Sequence, residues 1–228
     1  PRACNETNLN YLPTTNKKTI AVIGAGPAGL AFSEIAASRG HHVELFEASD
    51  QIGGQFNLAK QIPGKEEFHE TIRYFSAMLK KNGVKVHLNK KVQPIDLKEQ
   101  KYDDVIVSTG VYPRSLDIPG SDEEIVISYI DAIRNIDKIG KKVVLIGAGG
   151  IGFDMAELLS HGKKNPSTNI DDFAEQWGID FTNHPRGGVT GVMAKASKSE
   201  REIYLLQRKV TPLGLSLIHI SEPTRQFA

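Results

Sequence analysis

The sequence has one cysteine, Cys4, among 228 residues. That excludes an internal disulfide framework, a zinc site with two or more thiolates, and a disulfide reductase whose redox pair lies in this sequence. An excess of either charge is also missing. The 28 basic and 27 acidic side chains leave a formal net charge of +1, which gives no support to nucleic-acid or polyanion binding. No apolar run approaches the ~18 residues of a membrane-spanning helix. Residues 1–17 hold no apolar stretch of a secretory signal, so the expected location is cytoplasmic. The same absence fits a fragment whose start has been removed, since the sequence opens on Pro1. The histidines His41, His42, His69, His87, His161 and His184 show no metal-ligand spacing. No Ser–His–Asp set or carboxylate pair can be located, and nothing speaks to oligomeric state.

What is present suffices for a folded core: 39% of residues are hydrophobic and 24% charged. At about 150 residues per domain the length gives one and a half domains. The 21 glycines are clustered. Thr19–Ile23 is a short β-branched run of the kind that forms a buried parallel strand. A helix is expected over Leu30–Arg39, ended by Gly40. A second strand is expected over His42–Phe46, completing a βαβ unit. Glu66–Lys81 has helical spacing, with Phe68, Ile72, Phe75 and Leu79 on one face. Val84–Leu88 and Tyr102–Val107 read as further strands. The pattern restarts at Lys141–Gly152, continues as a helix over Phe153–Ser160, and resumes with a strand at Ile203–Leu206. Residues 162–200 form a long polar insertion with one short helix, Ile170–Trp177. The final stretch, Leu215–Arg225, alternates like a strand. It also matches the translation of a transposase-type sequencing-library adapter, so residues 215–228 are expected to be foreign.

Gly24-x-Gly26-x-x-Gly29, with Pro27 and Ala28 inside it, lies between strand and helix. The first glycine permits a tight turn, the second lets the backbone approach a pyrophosphate, and the third allows close helix–strand packing. Free N–H groups and the helix dipole would then meet the phosphates. Alone the motif is weak. Here it has strand, helix and Glu47 at the end of the next strand, where a carboxylate would bind ribose hydroxyls. Gly147-x-Gly149-x-x-Gly152, enclosing Gly150 and Ile151, repeats the arrangement. Its second strand ends instead in Gln207-Arg208-Lys209. A carboxylate would repel a ribose 2′-phosphate, whereas Arg and Lys would pair with it. The first turn is therefore expected to prefer an unphosphorylated dinucleotide and the second NADP. The fold expected is α/β, with two Rossmann-like dinucleotide-binding units in a glutathione-reductase-like FAD/NAD(P) arrangement, incomplete at both ends. Residues 18–120 form the FAD half-domain, 121–140 a connection and 141–214 the NADP domain. Ser108-Thr109-Gly110 ends a strand at the cofactor edge of the first sheet.

Several stretches carry a family resemblance: Pro1-Arg2-Ala3-Cys4, Gly24–Leu30, Ile52–Phe56, Gln61–Phe68, Gly149–Asp154, Trp177–Asp180 and Leu206–Lys209. Over residues 1–214 the sequence resembles the carboxyl-side region of bacterial-type NADPH-dependent 2,4-dienoyl-CoA reductases. Residues 1–17 then correspond to a linker from an upstream barrel and cluster domain. The resemblance implies FAD contacts from Ala28, Glu47, Gln55, Lys65 and Val92, together with the Gly54 turn, and a 2′-phosphate site at Arg208 and Lys209. It implies electron flow from NADPH through FAD, an iron–sulfur cluster and FMN to the dienoyl-CoA. The cluster, FMN and substrate residues would lie outside this sequence. Two alternatives stay open: a trimethylamine dehydrogenase-like or enoate reductase-like flavoprotein, and a dinucleotide-binding module without chemistry.

Overall fold

The computed structural model describes residues 4–99, 101–161, 166–182, 193–195, 198–208 and 210. Lys209, His184, the 215–228 tail and parts of the insertion lie outside these described residues. The chain divides into two units. The first comprises Pro1–Lys60 and Glu67–Leu116, and the second Gln61–Glu66 and Asp117–Ala228.

In the first unit, strand β1 (Thr19–Ile23) is buried along its middle, as its unbroken apolar run requires. It leads into helix α1 (Pro27–Ser38). This helix begins three residues before the expected Leu30, because Pro27 occupies its first turn, where a missing N–H costs nothing. Its end is a Schellman closure: Gly40 N–H donates to Ala37 O at 2.9 Å and His41 N–H to Ala36 O at 3.2 Å. Strand β2 (His42–Phe46) follows, then the single turn α2 (Phe56–Ala59) and helix α3 (Phe68–Lys81). Of the expected apolar face of α3, Leu79 is fully buried and Phe75 packs against the same core. Strands β3 (Lys85–His87) and β4 (Asp104–Val107) flank the short helix α4 (Pro94–Glu99). The sheet order is β3-β2-β1-β4, all parallel. Ile20, Val22, Leu30, Val43, Leu45 and Leu79 form the core between this sheet and its helices. Each such buried side chain contributes roughly 1.5–3 kcal/mol relative to exposure.

Strand β4 begins two residues after the expected start at Tyr102. The Tyr102 hydroxyl donates to Glu44 Oε2 at 3.3 Å, beside His87 Nε2 at 3.0 Å. Burial and the Glu44 charge push the Tyr102 pKa up to about 12.

The second unit pairs β5 (Lys142–Ile146) with β6 (Glu202–Leu206) in parallel. Helix α5 (Tyr129–Arg134) precedes them, and helix α6 (Gly150–Ser160) follows β5. Helix α7 (Ile170–Trp177) matches the expected bounds; Asn169 caps it by accepting from Asp171 and Asp172 N–H, both at 3.0 Å. The core holds Ala132, Met155, Leu158 and Leu159, and it also takes Ile62 from the early segment 61–66. Arg201 ties this core together, donating to Leu159 O and Ile136 O, each at 3.2 Å. No helix among the described residues is long and apolar enough to cross a membrane.

Candidate functional site

Both glycine turns leave their strands through left-handed backbone, with φ of +102° at Gly24 and +115° at Gly147. A side chain is strained there. The third glycine of each turn is required by contact instead. A Cβ on Gly29 would lie 1.9 Å from the Gly24 carbonyl oxygen, and one on Gly152 2.0 Å from that of Gly147. The middle glycines differ: a Cβ on Gly26 or Gly149 meets nothing within 4 Å. The middle position is thus the open side of each turn, directly before its helix.

In the first turn the polar groups of Gly24 and Ala25 are all taken. Gly24 N–H donates to Phe46 O at 2.7 Å, and Ala25 O accepts from Gly53 N–H at 2.8 Å. Ala25 N–H donates to Glu47 Oε2 at 2.8 Å, and Gly24 O accepts from Ser108 Oγ at 3.0 Å. Donors for an anion therefore begin with α1 itself. Ala28 and Gly29 stand in its first turn, outside the helical ladder, and no side chain caps the helix. An uncapped helix start beside open space can hold a phosphate.

Glu47 closes the turn from the β2 side. Its Oε1 accepts from the Ser49 N–H at 2.9 Å and the Ser49 hydroxyl at 2.8 Å. Burial alone would push its pKa up, but the donors on Ser49, Ala25 and Ala48 outweigh that and hold it below the ordinary value. An ionised carboxylate has about four lone-pair sites, so Oε2 retains room for a hydroxyl donor.

The structure brings most of the expected residues of the first unit to this corner. Gly54 lies against Gly26, where a Cβ would meet the Gly26 Cα at 2.8 Å, and exposed Gln55 follows it into α2. Asn89 N–H donates to Ser49 O and Lys90 N–H to Glu47 O, both at 2.8 Å, which anchors the segment leading to half-buried Val92. Thr109 and Gly110 leave β4 beside Gly24, with the Thr109 Cα 3.1 Å from a Cβ there. Lys65 belongs to the second unit, where its Nζ lies 2.6 Å from Asp154 Oδ2 on α6. Ser108, read from sequence only as part of a strand end, proves to be bonded into the turn. Its hydroxyl reaches across 84 positions, a link no local pattern signals.

The second turn repeats the first. Gly147 N–H donates to Leu206 O at 2.9 Å, the counterpart of the Gly24–Phe46 bond. Ile146 pairs with Leu206 as Ile23 pairs with Phe46. Gln207 therefore stands in the register position of Glu47, with exposed Arg208 next. Gly150 and Ile151 open α6. Among the described residues, no group of three or more His, Cys, Asp or Glu could hold a metal ion.

The sequence pattern of the pyridine nucleotide-disulphide oxidoreductases matches residues 18–175. The chain is 35% identical over 222 residues to a metal reductase of Desulforamulus reducens, covering 94% of this chain and 30% of that protein. It is 33% identical over 152 residues to a cinnamate reductase of Clostridium sporogenes, covering 64% and 22%. A solved complex of 2-naphthoyl-CoA reductase with 2-naphthoyl-CoA is 37% identical with a TM-score of 0.66, covering 70% of this chain and 24% of that one. The chain thus spans less than a third of the length of these relatives.

Proposed function

Since the chain belongs to the pyridine nucleotide-disulphide oxidoreductase family, we propose that it is the part of a flavoprotein that takes hydride from NADPH onto FAD. One observation carries this reading: two turns of the same geometry differ in charge where their second strands end, with Glu47 in the first and neutral Gln207 followed by Arg208 in the second. A carboxylate accepts ribose hydroxyls and repels a 2′-phosphate, whereas a guanidinium pairs with one.

FAD fits the first turn, whose open side at Gly26 faces an uncapped helix start. Ala28 and Gly29 N–H would hold its pyrophosphate and Glu47 Oε2 its ribose, with Gly54, Gln55 and the backbone near Val92 and Thr109-Gly110 completing the contacts. NADPH fits the second turn, with Gly147, Gly149, Gly150, Ile151 and Gly152 around its pyrophosphate and Arg208 and Lys209 on its 2′-phosphate. When bound, the flavin accepts the nicotinamide hydride. The protein's share is to hold the two dinucleotides by their phosphates and riboses.

As the resemblance implies, the electrons would pass on in a longer protein, with an iron–sulfur cluster and FMN as carriers, to a 2,4-dienoyl-CoA in the β-oxidation of unsaturated fatty acids. Two relatives bear the names of a conjugated acid, cinnamate, and an aromatic CoA thioester, in keeping with a conjugated acyl substrate. Among the described residues no group of three or more His, Cys, Asp or Glu could hold a metal centre, and no step through the cluster is assigned to this chain. It is not expected to reduce a dienoyl-CoA by itself.

The test is to add NADPH to the chain loaded with FAD and follow the visible flavin absorbance. Bleaching by NADPH, with NADH at least about tenfold less effective, is the expected result. Bound FAD that no nicotinamide bleaches indicates a binding module. Equal bleaching by NADH overturns the assignment of Arg208 and Lys209. Arg208→Ala is expected to weaken NADPH binding roughly tenfold or more, the worth of a charge-assisted bond, and to leave NADH unaffected.

A further inference from the structure

The Gly24–Ala25 peptide is gripped at both ends. Its carbonyl oxygen accepts from Ser108 Oγ at 3.0 Å, and its N–H donates to Glu47 Oε2 at 2.8 Å. Carbonyl and N–H of one planar peptide point in opposite directions, so the two grips come from opposite sides. Ser108 follows β4 and Glu47 follows β2, the two neighbours of β1. The single Ser108 hydroxyl proton is shared between Gly24 O and Ile23 O, both at 3.0 Å, and the oxygen sits 2.7 Å from where a Cβ on Gly29 would be. With glycine on one side, this peptide is the part of the turn most free to rotate. Rotation would turn the N–H of Ala25 off Glu47 and swing a carbonyl oxygen toward the open side before α1.

We propose that Ser108 is a positioning residue for dinucleotide binding: its hydroxyl locks the Gly24–Ala25 peptide, and through that peptide it holds the Glu47 carboxylate and the phosphate-facing turn in binding geometry. This rests on the reading of the first turn as the FAD site. Ser108 touches the cofactor nowhere in this scheme; it acts through the turn.

The decisive comparison is between two variants of the same shape, Ser108→Thr and Ser108→Val, with Ser108→Ala beside them. FAD affinity is measured by titration and global stability by thermal unfolding without FAD. The hydroxyl-bearing Thr variant is expected to bind FAD within about twofold of the unaltered chain. Val and Ala are expected to bind roughly five- to tenfold more weakly, the worth of one hydrogen bond. Equal FAD affinity for the Thr and Val variants overturns the proposal, as does an Ala variant that melts lower but binds FAD as the unaltered chain does. Amide exchange in FAD-free protein gives a second readout. The Gly24 and Ala25 amides are expected to exchange several-fold faster in the Ala variant, while those in the middle of β1 hold. Unchanged exchange at the turn overturns the lock even if the chain binds no FAD, the outcome that would refute the FAD site itself. If none of the variants folds, exchange of both amides at exposed-loop rates in the unaltered chain refutes the lock.

Discussion

Two neighbouring glycines of the first turn are expected to respond in opposite ways to the same substitution. In Gly29→Ala the new methyl would lie 1.9 Å from the Gly24 carbonyl oxygen and 2.7 Å from Ser108 Oγ. Both obstacles are anchored: Gly24 by its bond to Phe46, Ser108 by those to Ile23 and Gly24. The first contact is more than 1 Å short of any separation real Cβ atoms make, so α1 must shift away from β1 or the turn must open. Overpacking of this kind costs up to about 3 kcal/mol, here with a hydrogen bond of about 1 kcal/mol lost besides. Together, at about 2–4 kcal/mol, these lower the Tm of a unit of about 100 residues by roughly 8–30 °C. In Gly26→Ala the methyl meets nothing within 4 Å, and φ is an ordinary −75°. Reduced freedom of the unfolded chain then favours the alanine by about 0.4–1 kcal/mol. The same methyl occupies the open space before α1, so FAD affinity is expected to fall at least tenfold while Tm holds or rises. Circular-dichroism melts paired with FAD titrations read both quantities. A Gly26→Ala variant that melts as early as Gly29→Ala, or one that binds FAD normally, would refute the division between packing glycine and ligand glycine.

Two further expectations follow from named contacts. The Glu47 carboxyl titrates below its ordinary value in the folded chain, so its contribution is present above the unfolded value near ~4.3 and is lost as pH falls through the lower folded value. Glu47→Gln should therefore flatten the acid side of the stability profile below about pH 4.5, measured by urea unfolding; an unchanged acid limb would contradict the bonds drawn from Ala25 and Ser49. Arg201→Ala leaves the carbonyls of Leu159 and Ile136 without their guanidinium donor. It is expected to destabilise the second unit by about 2–4 kcal/mol, seen as a separate, earlier thermal transition, with FAD affinity unchanged.

The sequence made β1, β2 and α7 legible to the residue, because each rests on local signals: a bounded apolar run, or an Asn cap and a closing glycine. The glycine turns were legible for the same reason. Helix α1 begins three residues before its first periodic apolar residue, Leu30, since Gly26-Pro27 resembles a break yet is a good helix start. Helices α2, α4 and α5 are four to six residues long, too short for periodicity to register. Ser108 and Lys65 show the deeper limit. What a hydroxyl or an ammonium does depends on a partner 84 or 89 positions away, and nothing in the local pattern announces it. The equivalence of Gln207 with Glu47 was visible as a difference in charge. Only the strand register shows that the two residues hold the same place.

Ile62 bears on how the chain can be built and divided. The second unit is otherwise continuous from Asp117, yet its core contains this one side chain, 3% exposed, from a segment far upstream. A piece begun at Asp117 would carry a hole lined by Ala132, Met155, Leu158 and Leu159, with the penalty of a buried-isoleucine deletion, about 2–5 kcal/mol. Supplying residues 61–66 as a separate peptide would fill it only at the entropic cost of a bimolecular encounter. During synthesis, Ile62 must wait for α6 to emerge before it is buried, so this core closes by a long-range contact of the kind that slows folding. Gene dissection at the apparent boundary would thus yield a weaker unit than the one the whole chain forms.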